Sequence, residues 1–238
     1  MPQQRFRFTC VHCGRCCTDQ KTLVTTSFFD VARLAAAFEL TVDELLGVLS
    51  FYVLPPDVTR DAVKRMVLPP ALVEEKLVVV GLAKDESGTC VYYDPAAKRC
   101  RAYEVRPMTC RTFPFTFRYL ATNRGTEKTK STAFKLRVSL TEKGKRYCEG
   151  LKPSARPPFI HLKEWKRVGA ETIREYLHHQ LFVEKWNELV ERGEVVPSAV
   201  NFVDTILRTV EELRAPPPGS KKNAKSGGGK RARKATLS

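Results

Sequence analysis

Thr9-Cys10-Val11-His12-Cys13-Gly14-Arg15-Cys16-Cys17-Thr18 is the stretch that decides how this chain is read. Two residues between cysteines let both sulfurs reach one ion while backbone N–H groups point at the thiolates and offset their charge. The run Cys10-x2-Cys13-x2-Cys16 is the spacing used in bacterial ferredoxins, where a fourth ligand comes from elsewhere. Cys17 follows Cys16 directly, and neighbouring side chains diverge on most backbones, so Cys17 can serve a different site. His12 lies inside the run but must point away from both Cys10 and Cys13, which argues against ligation.

Working outward, four more cysteines follow: Cys90, Cys100 and Cys110, separated by nine residues each time, and then Cys148. Eight thiols divide into two four-ligand sites, or into one site with structural or reactive spares. The competing reading for the later four is that of small buried apolar residues, a common fate of free cysteine. The N-terminal residues Met1 to Phe8 carry charge and no apolar h-region, so the chain is expected to be cytoplasmic rather than secreted. Thiols there stay reduced, and eight of them point to metal ligation rather than disulfides. The longest apolar run, Leu77–Ala83, is far too short to span a bilayer, so no membrane partner is expected.

The chain has 238 residues and a formal net charge of +15. Lys221, Lys222, Lys225, Lys230, Arg231, Arg233 and Lys234 supply seven of those charges with no acid among them, which leaves +8 for residues 1–214. Such a tail suits contact with nucleic acid, ribosomes or another polyanion. Other cations cluster at the cysteines: Arg106 and Arg111 bracket Cys110, Arg99 and Arg101 bracket Cys100, and Arg15 lies inside the first run. A four-thiolate Zn²⁺ or [4Fe–4S]²⁺ centre carries about two net negative charges, whose burial is costly without compensation. Guanidinium groups suit that task, so Arg106 and Arg111 are expected around the bound group.

Thr25-Thr26-Ser27 offers a helix N-cap before the apolar-periodic stretch Phe28–Phe38, and Thr41 with Glu44 forms a capping box for a helix to about Ser50. Residues 5–9 alternate apolar and polar as a short strand would. Tyr52–Pro70 is proline-rich and is expected to be irregular or briefly helical. Leu77–Ala83 and Thr89–Tyr93 flank a turn and read as a hairpin; Phe115–Leu120 and Ala133–Leu140 read as another, joined by a polar loop around Asn123–Gly125. Asp94–Lys98 is a turn leading to Cys100. After the break Lys152–Pro158, apolar residues recur at helical spacing over Lys163–Glu191, and Ser198 caps a last helix. The fold class is therefore α+β. A small metal-tied domain of short hairpins and helices spans residues 1–150, a helical extension 151–214 and a disordered basic tail 215–238.

Beside the first run, Cys100-Arg-Ala-Tyr103-Glu104-Val-Arg106-Pro107-Met-Thr-Cys110-Arg111-Thr-Phe113-Pro114-Phe115 completes a pair of motifs. Together they resemble the YkgJ-type CxxCxxCC family of zinc- or iron-chelating domains, which includes relatives of flagellin lysine methylase. The resemblance covers roughly residues 5–150. It implies a bound metal, an iron–sulfur cluster (4Fe-4S), and a role in protein modification, for which a protein would be the substrate. The reading of the cysteines themselves makes Cys10, Cys13, Cys16, Cys17, Cys90, Cys100, Cys110 and Cys148 the expected ligands. No glycine-rich adenosine or phosphate loop accompanies the motifs, since Gly227–Gly229 lies in the tail.

Other residues are weighed and set aside. His178 and His179 fall in the long helix and are expected to be exposed or capping. Glu104 and Asp94 stand near cysteines, and turn chemistry accounts for Asp94. Tyr103, Phe113 and Phe115 are expected to pack around the metal loops. The chain thus reads as an iron–sulfur protein with a redox or protein-modification role. Alternatively, it is a structural zinc protein that binds nucleic acid through its basic body and tail, or a protein that stores or delivers metal.

Overall fold

The computed structural model describes residues 5–64, 66–124 and 131–214. Its elements begin with α1 (Arg15–Thr18), α2 (Phe28–Phe38) and α3 (Val42–Val48), the last two each opened by a capping box. In α2 the Ser27 hydroxyl accepts from the Asp30 N–H, while the Asp30 carboxylate accepts from the Ser27 N–H at 2.8 Å. Two N–H groups that a helix start leaves unpaired are satisfied at once. Thr41 and Glu44 do the same for α3.

The helix from Thr41 stops at Val48, short of the expected Ser50, because Leu49–Val53 becomes a strand, β1. Phe51, Tyr52 and Val53 favour a pleated, half-buried surface over a helix end. After α4 (Arg60–Lys64) come β2 (Ala71–Val73) and β3 (Lys76–Leu82), and with these two strands β1 builds an antiparallel sheet in the order β1-β3-β2. The apolar run in β3 is thus a central strand covered on both sides, and its ladder partners are β1 and β2 rather than the expected Thr89–Tyr93. The turn after it does close, through the Lys84–Cys90 bridge and the Asp85 N–H donating to Thr89 O at 2.9 Å. Residues 5–9 contribute one bridge, Arg7 to Phe159.

Two short strands follow, β4 (Tyr93–Asp94) and β5 (Arg99–Cys100), around the Asp94–Lys98 turn. There Asp94 accepts from the Ala97 N–H at 2.9 Å, which is turn chemistry. Then come α5 (Met108–Thr112) and the long hairpin of β6 (Phe115–Arg124) and β7 (Ser131–Leu140), paired Phe115 to Leu140. The chain continues through α6 (Glu142–Tyr147), two short 3₁₀ turns, α7 (Leu162–Glu191) and α8 (Ala199–Arg214). Ser198 accepts from the Asn201 N–H at 3.1 Å at the start of α8. The loop over 125–130 and the tail from 215 onward, expected to be polar and disordered, fall outside the described residues. Helices and small antiparallel sheets make the fold α+β.

The main core joins distant parts of the chain. Phe28, Val31 and Leu34 of α2, Leu45 of α3, Val78, Val80 and Leu82 of β3, Val183 and Trp186 of α7, and Phe202, Val203 and Ile206 of α8 are buried together. Helix α7 also closes the outer edge of the sheet: Trp186 Nε1 donates to Leu72 O at 2.8 Å, and Asn187 Oδ1 accepts from the Leu72 N–H at 2.7 Å. A second, smaller cluster of Phe6, Phe115 and Val138, flanked by Phe8, Phe117 and Trp165, sits under the hairpin. Among the described residues, no helix is long and apolar enough to cross a membrane.

Candidate metal centre

The loop between residues 9 and 19 is folded back by the single turn α1. Gly14 precedes it with φ of 73°, the left-handed region that favours glycine. A Cβ on Gly14 would stand 2.1 Å from the Tyr93 hydroxyl, so glycine is also what lets β4 approach the loop. The Cys17 N–H donates to Gly14 O at 2.7 Å, and Cys17 O accepts from the Cys90 N–H at 2.7 Å. The Tyr93 N–H donates to Cys90 O at 2.8 Å, and Tyr93 lies opposite Cys100 in the β4–β5 pair. One backbone path therefore links Cys17, Cys90 and Cys100.

Cys110 arrives on α5, whose first N–H, that of Met108, donates to Asp30 Oδ1 at 2.9 Å. Thr109 Oγ1 donates to Thr25 O at 3.1 Å and fixes the same turn from its other side. Cys148 ends α6, and the next residues are tied to the first loop. Arg15 pairs with Glu149 at 2.8 Å, and the Thr9 N–H donates to Gly150 O at 3.2 Å.

All eight cysteines line one cavity of about 670 Å³. Cys10, Cys13 and Cys16 are exposed, Cys90 is buried, and Cys17, Cys100, Cys110 and Cys148 are half-buried. Cys16 and Cys17 Sγ are 3.9 Å apart. The Cys17 thiol supports the Cys16 thiolate, which draws Cys16 down to about 7 and pushes Cys17 well up. Burial raises Cys90, Cys100, Cys110 and Cys148. As placed, no three His, Cys, Asp or Glu side chains among the described residues already surround one point as metal ligands do.

Two arginines expected near the thiols, Arg106 and Arg111, both line the cavity. Arg106 lies 3.9 Å over the Tyr103 ring, and its charge lowers Cys16 and Cys100. Its Nε is buried without a hydrogen-bond partner among the described residues. A buried guanidinium N–H lacking an acceptor, on a residue that lines a cavity of thiols, fits an anionic metal–thiolate group, as does the all-sulfur donor set. His12 packs on Tyr103 at a tilt, 4.8 Å between ring centres, and lines the same cavity. Glu104 is exposed and lies outside it.

Several residues here gave no signal in the sequence reading. Lys84 donates to Asp19 O at 2.7 Å and acts on Cys16 and Cys90. Glu164 and Trp165 reach the cavity from the start of α7. Asp30 is fully buried, so burial pushes its carboxyl above the usual carboxylate range while Arg33 and the Ser27 and Met108 N–H groups draw it back. Its place in the Ser27 capping box was the one available hint. His179 corrects an expectation: it is buried, and its Nδ1 accepts from the Phe28 N–H at 3.1 Å.

An α+β scaffold that brings eight thiols to one basic cavity defines a cysteine-based metal-chelating domain. The chain belongs to the CxxCxxCC family, described as "Putative zinc- or iron-chelating domain", whose profile matches residues 9–149. An uncharacterised protein of Methanocaldococcus jannaschii is 28% identical over 108 residues, 45% of this chain and 44% of that protein. The chain thus spans less than half the length of this curated relative. No solved structure matches it.

Proposed function

We propose that the thiol cavity holds an iron–sulfur centre with a redox or protein-modification role. The observation that carries this reading is the convergence of eight thiols on one cavity where the Arg106 Nε–H is buried without an acceptor among the described residues. N–H donors aimed at cluster sulfurs are among the levers that set a cluster's potential. The cavity is also ligand-sized, which leaves room beside the sulfurs for a reactant. When bound, such a group supplies one-electron chemistry. This chain's own part is to hold the thiolates, to offset their charge with Arg106, and to screen the inner ones from water.

Protein purified without oxygen tests the reading. Broad visible absorption with iron and acid-labile sulfide in matching amounts is the expected result. Colourless protein holding stoichiometric zinc would defeat it in favour of the structural zinc alternative.

One observation favours a polyanion partner for that alternative. In the hairpin, Arg118 lies directly opposite Arg137, and Lys135 is on the same face. All three are exposed, and none forms an ion pair among the described residues. Like charges directly opposite are destabilising by themselves and suit a surface that meets phosphates. Removing residues 215–238 separates this face from the tail. RNA binding retained by the shortened chain and lost on Arg118→Glu with Arg137→Glu supports it, and binding lost with the tail alone counts against it.

A further inference from the structure

The eight thiols fall into two sets of four, and we infer that each set holds its own metal centre. Cys10, Cys13, Cys16 and Cys148 form an outer centre, and Cys17, Cys90, Cys100 and Cys110 an inner one. This division rests on the metal-binding reading above and specifies which ligands share a site.

The backbone supports the inner set first. Cys17 O holds the Cys90 N–H, Cys90 O holds the Tyr93 N–H, and Tyr93 pairs with Cys100. Cys90 is buried in the main core, and Cys17, Cys100 and Cys110 pack against that same core. The outer set has its own tethers. The segment after Cys148 is bound to Thr9, just before the run from Cys10 to Cys16, and to Arg15 within it.

Cys16 and Cys17 are the junction. Both lie in α1, where successive side chains project about 100° apart, so one peptide unit can send a thiolate to each centre. Their sulfurs stand 3.9 Å apart. The outer set also completes the C-x2-C-x2-C spacing with a distant fourth sulfur, the arrangement such a run requires. Cys10, Cys13 and Cys16 face solvent and Cys90 is buried, while Cys148 is half-buried like Cys17, Cys100 and Cys110. Two centres of roughly two negative charges each would meet at this junction, in a cavity lined by Arg15, Arg99, Arg106 and Arg111.

The test uses the full chain as purified with its metal. A chelator is added, and iodoacetamide labelling is mapped residue by residue over time. Cys10, Cys13, Cys16 and Cys148 are expected to become labelled together and first, with about half of the metal released, and the inner four later. Simultaneous labelling of all eight, or a first set that mixes Cys17 or Cys90 with Cys10, would overturn the division. Cys148→Ser gives a second reading: the outer three become labelled from the start while Cys17, Cys90, Cys100 and Cys110 stay protected. Wild-type protein holding metal on only one set overturns the two-centre division alone. Protein without metal or thiol protection overturns the metal-binding reading as well.

Discussion

Asp30 is a single residue on which three elements depend. Its carboxylate caps α2, pairs with Arg33 and receives the first N–H of the helix that carries Cys110. Arg33 in turn reaches Glu175 of α7 at 2.8 Å. Removing one partner of a buried pair leaves the other without compensation. Asp30→Ala should therefore cost about 3 kcal/mol, the low end for such pairs, because Arg33 keeps Glu175. Urea denaturation measures this, and a loss under about 1 kcal/mol would remove Asp30 from its structural role. His179 gives a pH prediction. Burial lowers it from 6.5 to about 4, so the folded protein holds it neutral. Below pH 6.5 the unfolded chain binds a proton that the folded chain refuses. Its contribution is complete above pH 6.5 and is lost as pH falls towards 4, by up to about 3 kcal/mol. In His179→Asn the slope of stability against pH over that window should flatten. The cysteines were legible because their spacing is local chemistry. Asp30 and His179 were not, because each takes its meaning from a partner far along the chain.

At the scale of elements, Gly169 marks where α7 meets the hairpin. A Cβ there would stand 2.2 Å from Phe117 Cδ1, and Phe117 also stacks on Trp165. Gly169→Ala would ordinarily favour a helix by about 1 kcal/mol. Here overpacking of about 1–3 kcal/mol opposes that gain. The net expectation is a lower thermal midpoint, and a rise would show that the ring moves aside freely. Both capping boxes and the long helix were readable, since caps and helical periodicity are written within a few residues. Strand β1 was hidden because Leu49–Val53 continues the apolar pattern of α3, and only β3 makes it a strand. Sheet order behaved likewise: the apolar run of β3 was visible, but its two partners were not.

For the whole molecule, we propose that residues 5–214 fold as one unit. Phe202, Val203, Ile206 and Val210 of α8 are almost wholly buried with residues of α2 and the sheet. Burying four such side chains is worth roughly 6–12 kcal/mol, comparable to the total stability of a domain. A chain ending at residue 198 should be insoluble or lack the cooperative unfolding transition of the longer protein, as circular dichroism would record. A stable, soluble product would instead support a self-sufficient cysteine domain followed by an extension. The sequence showed α8 as an amphipathic helix but could not show which surface its apolar stripe covers.

The placement of Cys148 and α8 also orders events during synthesis. Cys10 to Cys17 emerge from the ribosome before Cys148, and α8 emerges after it. A nascent chain would meanwhile expose a dense run of reactive thiols with no walls around them. Stable capture of metal then waits until Cys148 and α8 have both emerged. Until that moment the emerging chain would be at its most vulnerable to oxidants and to the wrong ion.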